Sequence, residues 1–194
     1  MLKEKLEKYN IILGSSSLRR KKLLSELDLK FTVKVNLQKE DYPKTLCISK
    51  IAAFLAKQKS DIISKELSGN YLLITADTIV INNEEILHKP QDKKEALRLL
   101  SDLSGKKHKV ISSFCIRSNK KEVIHSSITE VFLYKLFKKE ILYYVNNFNP
   151  YDKAGSYGIQ DWIGHIGVEK INGSYNNVVG LDTSQLYQKL KLFI

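Results

Sequence analysis

The chain has 194 residues, 43% of them hydrophobic and 27% charged, enough for one well-cored globular domain and outside the range of disordered chains. Its formal charge is +11, from 32 basic and 21 acidic residues. The excess is scattered in lysine pairs, with no basic tail and no aromatic-basic ribbon, so a solvated surface fits better than a nucleic-acid-binding face.

The opening decapeptide, MLKEKLEKYN, is too charged for a signal peptide. Ile11–Leu13 then predicts a short strand that stops at Gly14. Three serines, Leu18, Arg19 and Arg20 come next, and an amphipathic pattern with Leu23, Leu24 and Leu27 on one face predicts a helix. A strand entering a helix through small hydroxyl residues offers backbone N–H groups, a helix dipole and two guanidinium charges to a phosphate. The same pattern equally describes a serine N-cap followed by a solvated basic turn.

Phe31–Val35 predicts a second strand. Ile48, Ile51, Ala52, Leu55, Ile62 and Ile63 form the stripe of a longer helix over 44–67. The apolar run Tyr71–Ala76 predicts a strand, Asp77 marks its end, and a further short strand comes at Ile79–Ile81. A carboxylate at a strand end can hold Mg²⁺ or take a proton from water, or it can simply cap a turn. Lys89, held extended before Pro90, can meet a phosphate as a point charge or lie on the surface.

A third helix carries Ala96, Leu99, Leu100 and Leu103, with Asp92 and Glu95 as its capping box and Gly105 as its stop. Val110–Arg117 and Glu122–Leu133 flank Ser118–Lys121 and predict a long hairpin, with a helix after it at 137–147. Residues 152–160, DKAGSYGIQ, form an irregular segment with two glycines, Lys153 and Gln160. The amide of Gln160 both donates and accepts, which suits a nucleobase edge; a ligand-free glycine loop is the alternative. Residues 172–181 predict a tight turn with a buried Val178–Val179 pair, and a short helix ends the chain.

Cys47 and Cys115 make no CxxC pair, and the four histidines show no metal-ligand spacing. No apolar run is long enough to span a bilayer. These features predict a cytoplasmic protein with no membrane partner. Interleaved helices and strands around a central hairpin predict an α/β fold: one domain over 1–194, with a mixed twisted sheet, packed helices and two lobes around a cleft.

Six segments, in order, resemble the Maf family of nucleoside triphosphate pyrophosphatases: Leu13 to Arg20, Ala76-Asp77-Thr78, His88-Lys89-Pro90, Leu103 to Val110, Asp152 to Gln160 and Gly173 to Leu181. Gly14 stands where the family pattern has alanine, Leu18 and Asp182 where it has proline, and His88 where it has glycine. The resemblance implies a Maf/ITPase-like fold and cleavage of a nucleoside triphosphate between its α and β phosphates. It implies that Ser15, Ser17, Arg20, Lys59, Lys89 and Lys153 hold phosphates. Glu40 and Asp77 would hold Mg²⁺ or Mn²⁺, with Asp77 alternatively acting as the base toward water. Arg19, Thr78 and Gln160 match the specificity positions of the dTTP/UTP branch, whereas a branch acting on 7-methyl-GTP carries tryptophan and glutamates there. A homodimer is the family's implied assembly. The competing readings are a non-catalytic, nucleotide-binding regulator of cell division and a nucleic-acid-binding module.

Overall fold

The computed structural model describes residues 1–35, 38 and 41–194. In chain order the elements are α1 (Leu2–Leu6), β1 (Asn10–Gly14), α2 (Leu18–Ser25), β2 (Thr32–Val33), α3 (Ile48–Ser64), β3 (Tyr71–Asn82), β4 (Glu85–Leu87) and α4 (Lys93–Leu103). They continue with β5 (Lys107–Arg117), β6 (Glu122–Leu133), α5 (Lys138–Phe148), α6 (Trp162–Gly167), β7 (Val168–Asn172), α7 (Tyr175–Val179) and α8 (Thr183–Phe193). Two single 3₁₀ turns, Pro150–Asp152 and Ala154–Ser156, lie between α5 and α6. The fold is α/β, and its seven-stranded mixed sheet has the order β2-β1-β3-β5-β6-β7, with β4 paired to β3.

The chain divides into two compact units. One comprises Met1–Asp77, Ser112–Ser127 and Gly180–Ile194; the other comprises Thr78–Ile111 and Ile128–Val179. Strands β3, β5 and β6 each contribute residues to both.

In the first unit β1 pairs in parallel with both β2 and β3. Ile12, Ile63, Tyr71 and Leu73 are buried together, with Leu67 packed on the group. The β1–β3 register runs from Asn10–Tyr71 to Gly14–Thr75. Gly14 is required by close packing: a Cβ there would sit 2.5 Å from Thr75 Cγ2 and 2.8 Å from Ile63 Cδ1. Thr75 cannot simply rotate away, because its hydroxyl donates to the Ala56 carbonyl at 2.7 Å. Gly14→Ala is therefore expected to lower unfolding free energy by about 1–3 kcal/mol, read as a lower urea midpoint at unchanged slope.

Arg117 in this unit bridges Asp61 and Glu122 and donates to Ser64 Oγ at 2.8 Å, while Lys57 meets Asp61. Beside this network the Cys115 thiol is buried, and its pKa is pushed up to about 12 by desolvation. It is an inert thiol at neutral pH.

The second unit packs α4 and α5 around a core that includes Val80, Leu100, Leu103, Val131, Tyr144 and Ile163. Helix α4 starts at the predicted cap, where Asp92 accepts from the Glu95 N–H at 2.8 Å, but the predicted box does not close, because the Glu95 carboxylate accepts from the Gln91 N–H at 2.8 Å; Gly105 beyond the helix end takes a positive φ of 69°. Strands β6 and β7 are antiparallel.

Several predicted boundaries are corrected. Tyr71–Ala76 and Ile79–Ile81 are one twelve-residue strand, so Asp77 lies within β3 and does not end it. Helix α3 is shorter than 44–67, and β2 keeps only two residues of Phe31–Val35. The 172–181 segment contains α7, in which Asn177 is the buried residue while Val178 and Val179 are half-buried. Asn177 is pinned by its amide, which donates to the Val110 carbonyl at 3.0 Å and to Thr129 Oγ1 at 2.8 Å. Among the described residues no helix is long and apolar enough to cross a membrane.

Candidate active site

Strands β1 and β3 run in the same direction, and Gly14, the last residue of β1, lies opposite Thr75. The serine turn that begins at Ser15 and the carboxylate of Asp77, two residues past Thr75, therefore lie toward the same end of the pair. Ser17 is the N-cap of α2, and its hydroxyl accepts from the Arg20 N–H at 3.4 Å. Ser15 Oγ accepts from the Ser17 N–H at 3.3 Å and from Arg20 Nη1 at 3.4 Å. Arg20 Nε donates to the Gly180 carbonyl at 2.9 Å. The capping alternative is thus realised at Ser17, and Arg20 also ties the turn to the segment leading into α8. Leu18, at the first helical position, is solvent-exposed.

Asp77 faces α3. In a strand, alternate residues share a face. Thr75 bonds the α3 carbonyl of Ala56, and Asp77 Oδ1 accepts from Lys59 Nζ of α3 at 2.6 Å. Lys59 also donates to the Ala76 carbonyl at 3.4 Å. The pair is largely withdrawn from water, with side chains 11% and 12% exposed. The lysine offsets the charge of a carboxylate that the strand alone could not bury. Thr78, the next residue, projects from the opposite face of β3.

The other predicted residues belong to the second unit. Lys89 is exposed. The carbonyl of its neighbour His88 accepts from the Gly155 N–H at 3.3 Å, which ties the His88–Pro90 segment to 152–160. Lys153 Nζ pairs with Asp152 at 2.8 Å and Asp161 at 3.6 Å. Gln160 Nε2 donates to Asp161 Oδ1 at 2.9 Å, and Gln160 Oε1 is buried with no hydrogen-bond partner. Asp161 Oδ2 accepts from the Tyr144 hydroxyl at 2.7 Å, and that hydroxyl accepts from the Gly158 N–H at 3.1 Å. Burial and the Asp161 carboxylate raise the Tyr144 pKa, so the phenol keeps its proton. Tyr157, in the same segment, lies 2.6 Å through its hydroxyl from His108 Nε2.

The structure therefore brings Ser15, Ser17, Arg20, Lys59 and Asp77 into one unit, and Lys89, Lys153 and Gln160 into the other. Arg19, half-buried, comes after Leu18 in α2. Sequence reading missed Asp161 and Tyr144. Asp161 could have been noticed as the residue beside Gln160; Tyr144 carries no local signal.

Glu40, the second metal-ligand expectation, lies outside the described residues. Among the described residues no group of three or more His, Cys, Asp or Glu side chains could hold a metal ion. Mg²⁺ takes most of its ligands from water and substrate phosphates and needs only one or two carboxylates. Asp77, a carboxylate toward the same end of the β1–β3 pair as the serine turn, offers one such ligand.

The chain is similar over nearly its whole length to known proteins. A "dTTP/UTP pyrophosphatase" of Christiangramia forsetii is 45% identical over 191 residues, covering 98% of this chain and 97% of the relative. Proteins of the same name from Flavobacterium johnsoniae and Flavobacterium psychrophilum are 41% and 46% identical; the first covers all of both chains, the second 96% of each. The Maf-like protein family profile matches residues 10–193, from the start of β1 to the end of α8 and through the serine turn, Asp77 and the 152–160 segment, and the chain belongs to that family.

Proposed function

We propose that this protein is a nucleoside triphosphate pyrophosphatase that hydrolyses dTTP and UTP to the monophosphate and pyrophosphate. The observation that carries the reading is the Gly14–Thr75 register, which sets a capped serine turn and Arg20 toward the same end of the β1–β3 pair as the lysine-paired carboxylate within β3. Relatives covering the full chain and named for that activity support it. Hydrolysis of a phosphoanhydride needs positioning and charge neutralisation more than covalent help.

Ser15, Ser17 and the start of α2 bind phosphate oxygens, with charge from Arg20, Lys59, Lys89 and Lys153. Asp77 orients the attacking water and accepts its proton, or holds Mg²⁺ or Mn²⁺ together with Glu40. When bound, the cation supplies charge neutralisation on the phosphates. Lys59 holds the Asp77 carboxylate in place until substrate arrives. Arg19, Thr78 and Gln160 contact the base. A cytoplasmic homodimer is the setting this reading implies, and light scattering on the purified protein checks the assembly.

Pyrophosphate release from dTTP, UTP, CTP and 7-methyl-GTP, each with Mg²⁺ and with Mn²⁺, tests the assignment. The expected outcome is a kcat/KM for dTTP and UTP at least about tenfold above that for 7-methyl-GTP, the scale of one well-placed hydrogen bond to a base edge. A preference for 7-methyl-GTP overturns the substrate assignment.

A further inference from the structure

Asp161 occupies the N-cap position of α6, where an aspartate ordinarily accepts from the helix's first N–H groups. Here it makes no such cap. Both its oxygens are engaged elsewhere, Oδ1 by Gln160 Nε2 and Oδ2 by the Tyr144 hydroxyl. A carboxylate accepts and does not donate. An amide oxygen turned toward it at 2.9 Å would be repelled, so the nitrogen of Gln160 must face Asp161. The Gly158 N–H donates to Tyr144, Tyr144 donates to Asp161, and Asp161 accepts from Gln160, so the polarity of the chain is set at both ends.

We propose that Asp161 is a positioning residue that fixes the orientation of the Gln160 carboxamide, so that its carbonyl oxygen is the group left for a base and selects a ring imino N–H. This rests on the pyrophosphatase reading and refines its substrate choice. Gln160 Oε1 is buried and lacks a donor. Uracil and thymine carry a donor at N3. Cytosine carries a lone pair at N3, which would face the lone pairs of Oε1. An unmatched polar contact of this kind in a buried site discriminates strongly between substrates of the same size.

The test compares kcat and KM for UTP, CTP and N3-methyl-UTP in the wild type, Asp161→Asn and Asp161→Glu. The wild type is expected to favour UTP over both others by about tenfold or more, mainly through KM. An asparagine can offer its own NH₂ to Gln160 Oε1, which lets the carboxamide turn over. Asp161→Asn is therefore expected to shrink the UTP/CTP ratio about tenfold, and Asp161→Glu, which keeps the carboxylate, to restore part of it. A folded Asp161→Asn with the wild-type ratio overturns the proposal. So does a wild type that cleaves N3-methyl-UTP as well as UTP, a comparison that needs no variant. A wild type that releases pyrophosphate from none of the three nucleotides, nor from dTTP, overturns the pyrophosphatase reading itself.

Discussion

Asp77→Asn is expected to lower pyrophosphate release from dTTP by about 10²–10⁴-fold, the range that a positioned acid–base group contributes. The asparagine keeps an oxygen where Oδ1 now accepts from Lys59 at 2.6 Å, and it is nearly the same size. What it loses is negative charge, and with it the capacity to take a proton from water or to hold a divalent cation. The neighbouring Lys59 then has a dipole in place of a counter-ion in a site largely withdrawn from water. Some stability is lost, but less than in Asp77→Ala, which also removes the oxygen that now accepts from the ammonium. Turnover is measured by pyrophosphate release and folding by thermal denaturation of the same samples. Unchanged turnover in a folded Asp77→Asn sinks the assigned role. It would also revive the non-catalytic regulator, which predicts that the variant keeps its cellular effect.

The two roles of Asp77 separate in the metal dependence of that variant. If Asp77 is a cation ligand, raising Mn²⁺ recovers part of the lost rate in Asp77→Asn, because the site is weakened and not removed. If Asp77 is the base toward water, added metal recovers nothing. The Lys59 contact bears on both roles, since an ammonium at 2.6 Å competes with a cation for Oδ1.

Much of this arrangement is legible in the chain. Gly14, the serines and the leucines after them mark β1, its end and α2, because a glycine, a cap and a helical period each act locally. The α4 boundaries emerge for the same reason from Asp92, Glu95 and Gly105. Asp77 misleads because a charge inside an apolar run reads as the end of a strand. It sits within β3 because its partner is Lys59, 18 residues earlier on a helix, and no local pattern reports that pairing. Helices α6 and α7 and strand β7 are too short to show a period, so no element is predicted over 161–171 and 172–181 reads as a tight turn. Gln160 is legible as an amide suited to a base, but not which end of the amide is presented. That orientation comes from Asp161 and from Tyr144 on α5, which only the fold brings together.

Acidification is expected to remove about 3 kcal/mol of stability between pH 6.5 and pH 4 through His108 alone, since each unit of pKa difference is worth about 1.4 kcal/mol. Burial pushes the pKa of this imidazole down from 6.5 to about 4. Nε2 is paired with the Tyr157 hydroxyl at 2.6 Å, and Nδ1 has no hydrogen-bond partner. An imidazolium would carry a second N–H with nothing to accept it, in a site closed to water. Above pH 6.5 both the folded and the unfolded chain hold this residue neutral, so the full stability is present. As pH falls below 6.5 the unfolded chain binds a proton that the folded chain refuses, and stability declines until the folded pKa is reached near 4. Urea unfolding at pH 7 and pH 4.5 measures the loss. In His108→Gln that pH-dependent part should disappear, although the variant starts from a lower stability at pH 7. NMR of the folded wild type should show the His108 ring still neutral at pH 5. A ring that titrates near 6.5 in the folded protein would remove the basis of the effect. The consequence reaches the candidate site, because Tyr157 lies between Lys153 and Gln160. The folded protein takes that proton only near pH 4, so a loss of dTTP affinity through this segment is expected there and not between pH 7 and pH 5.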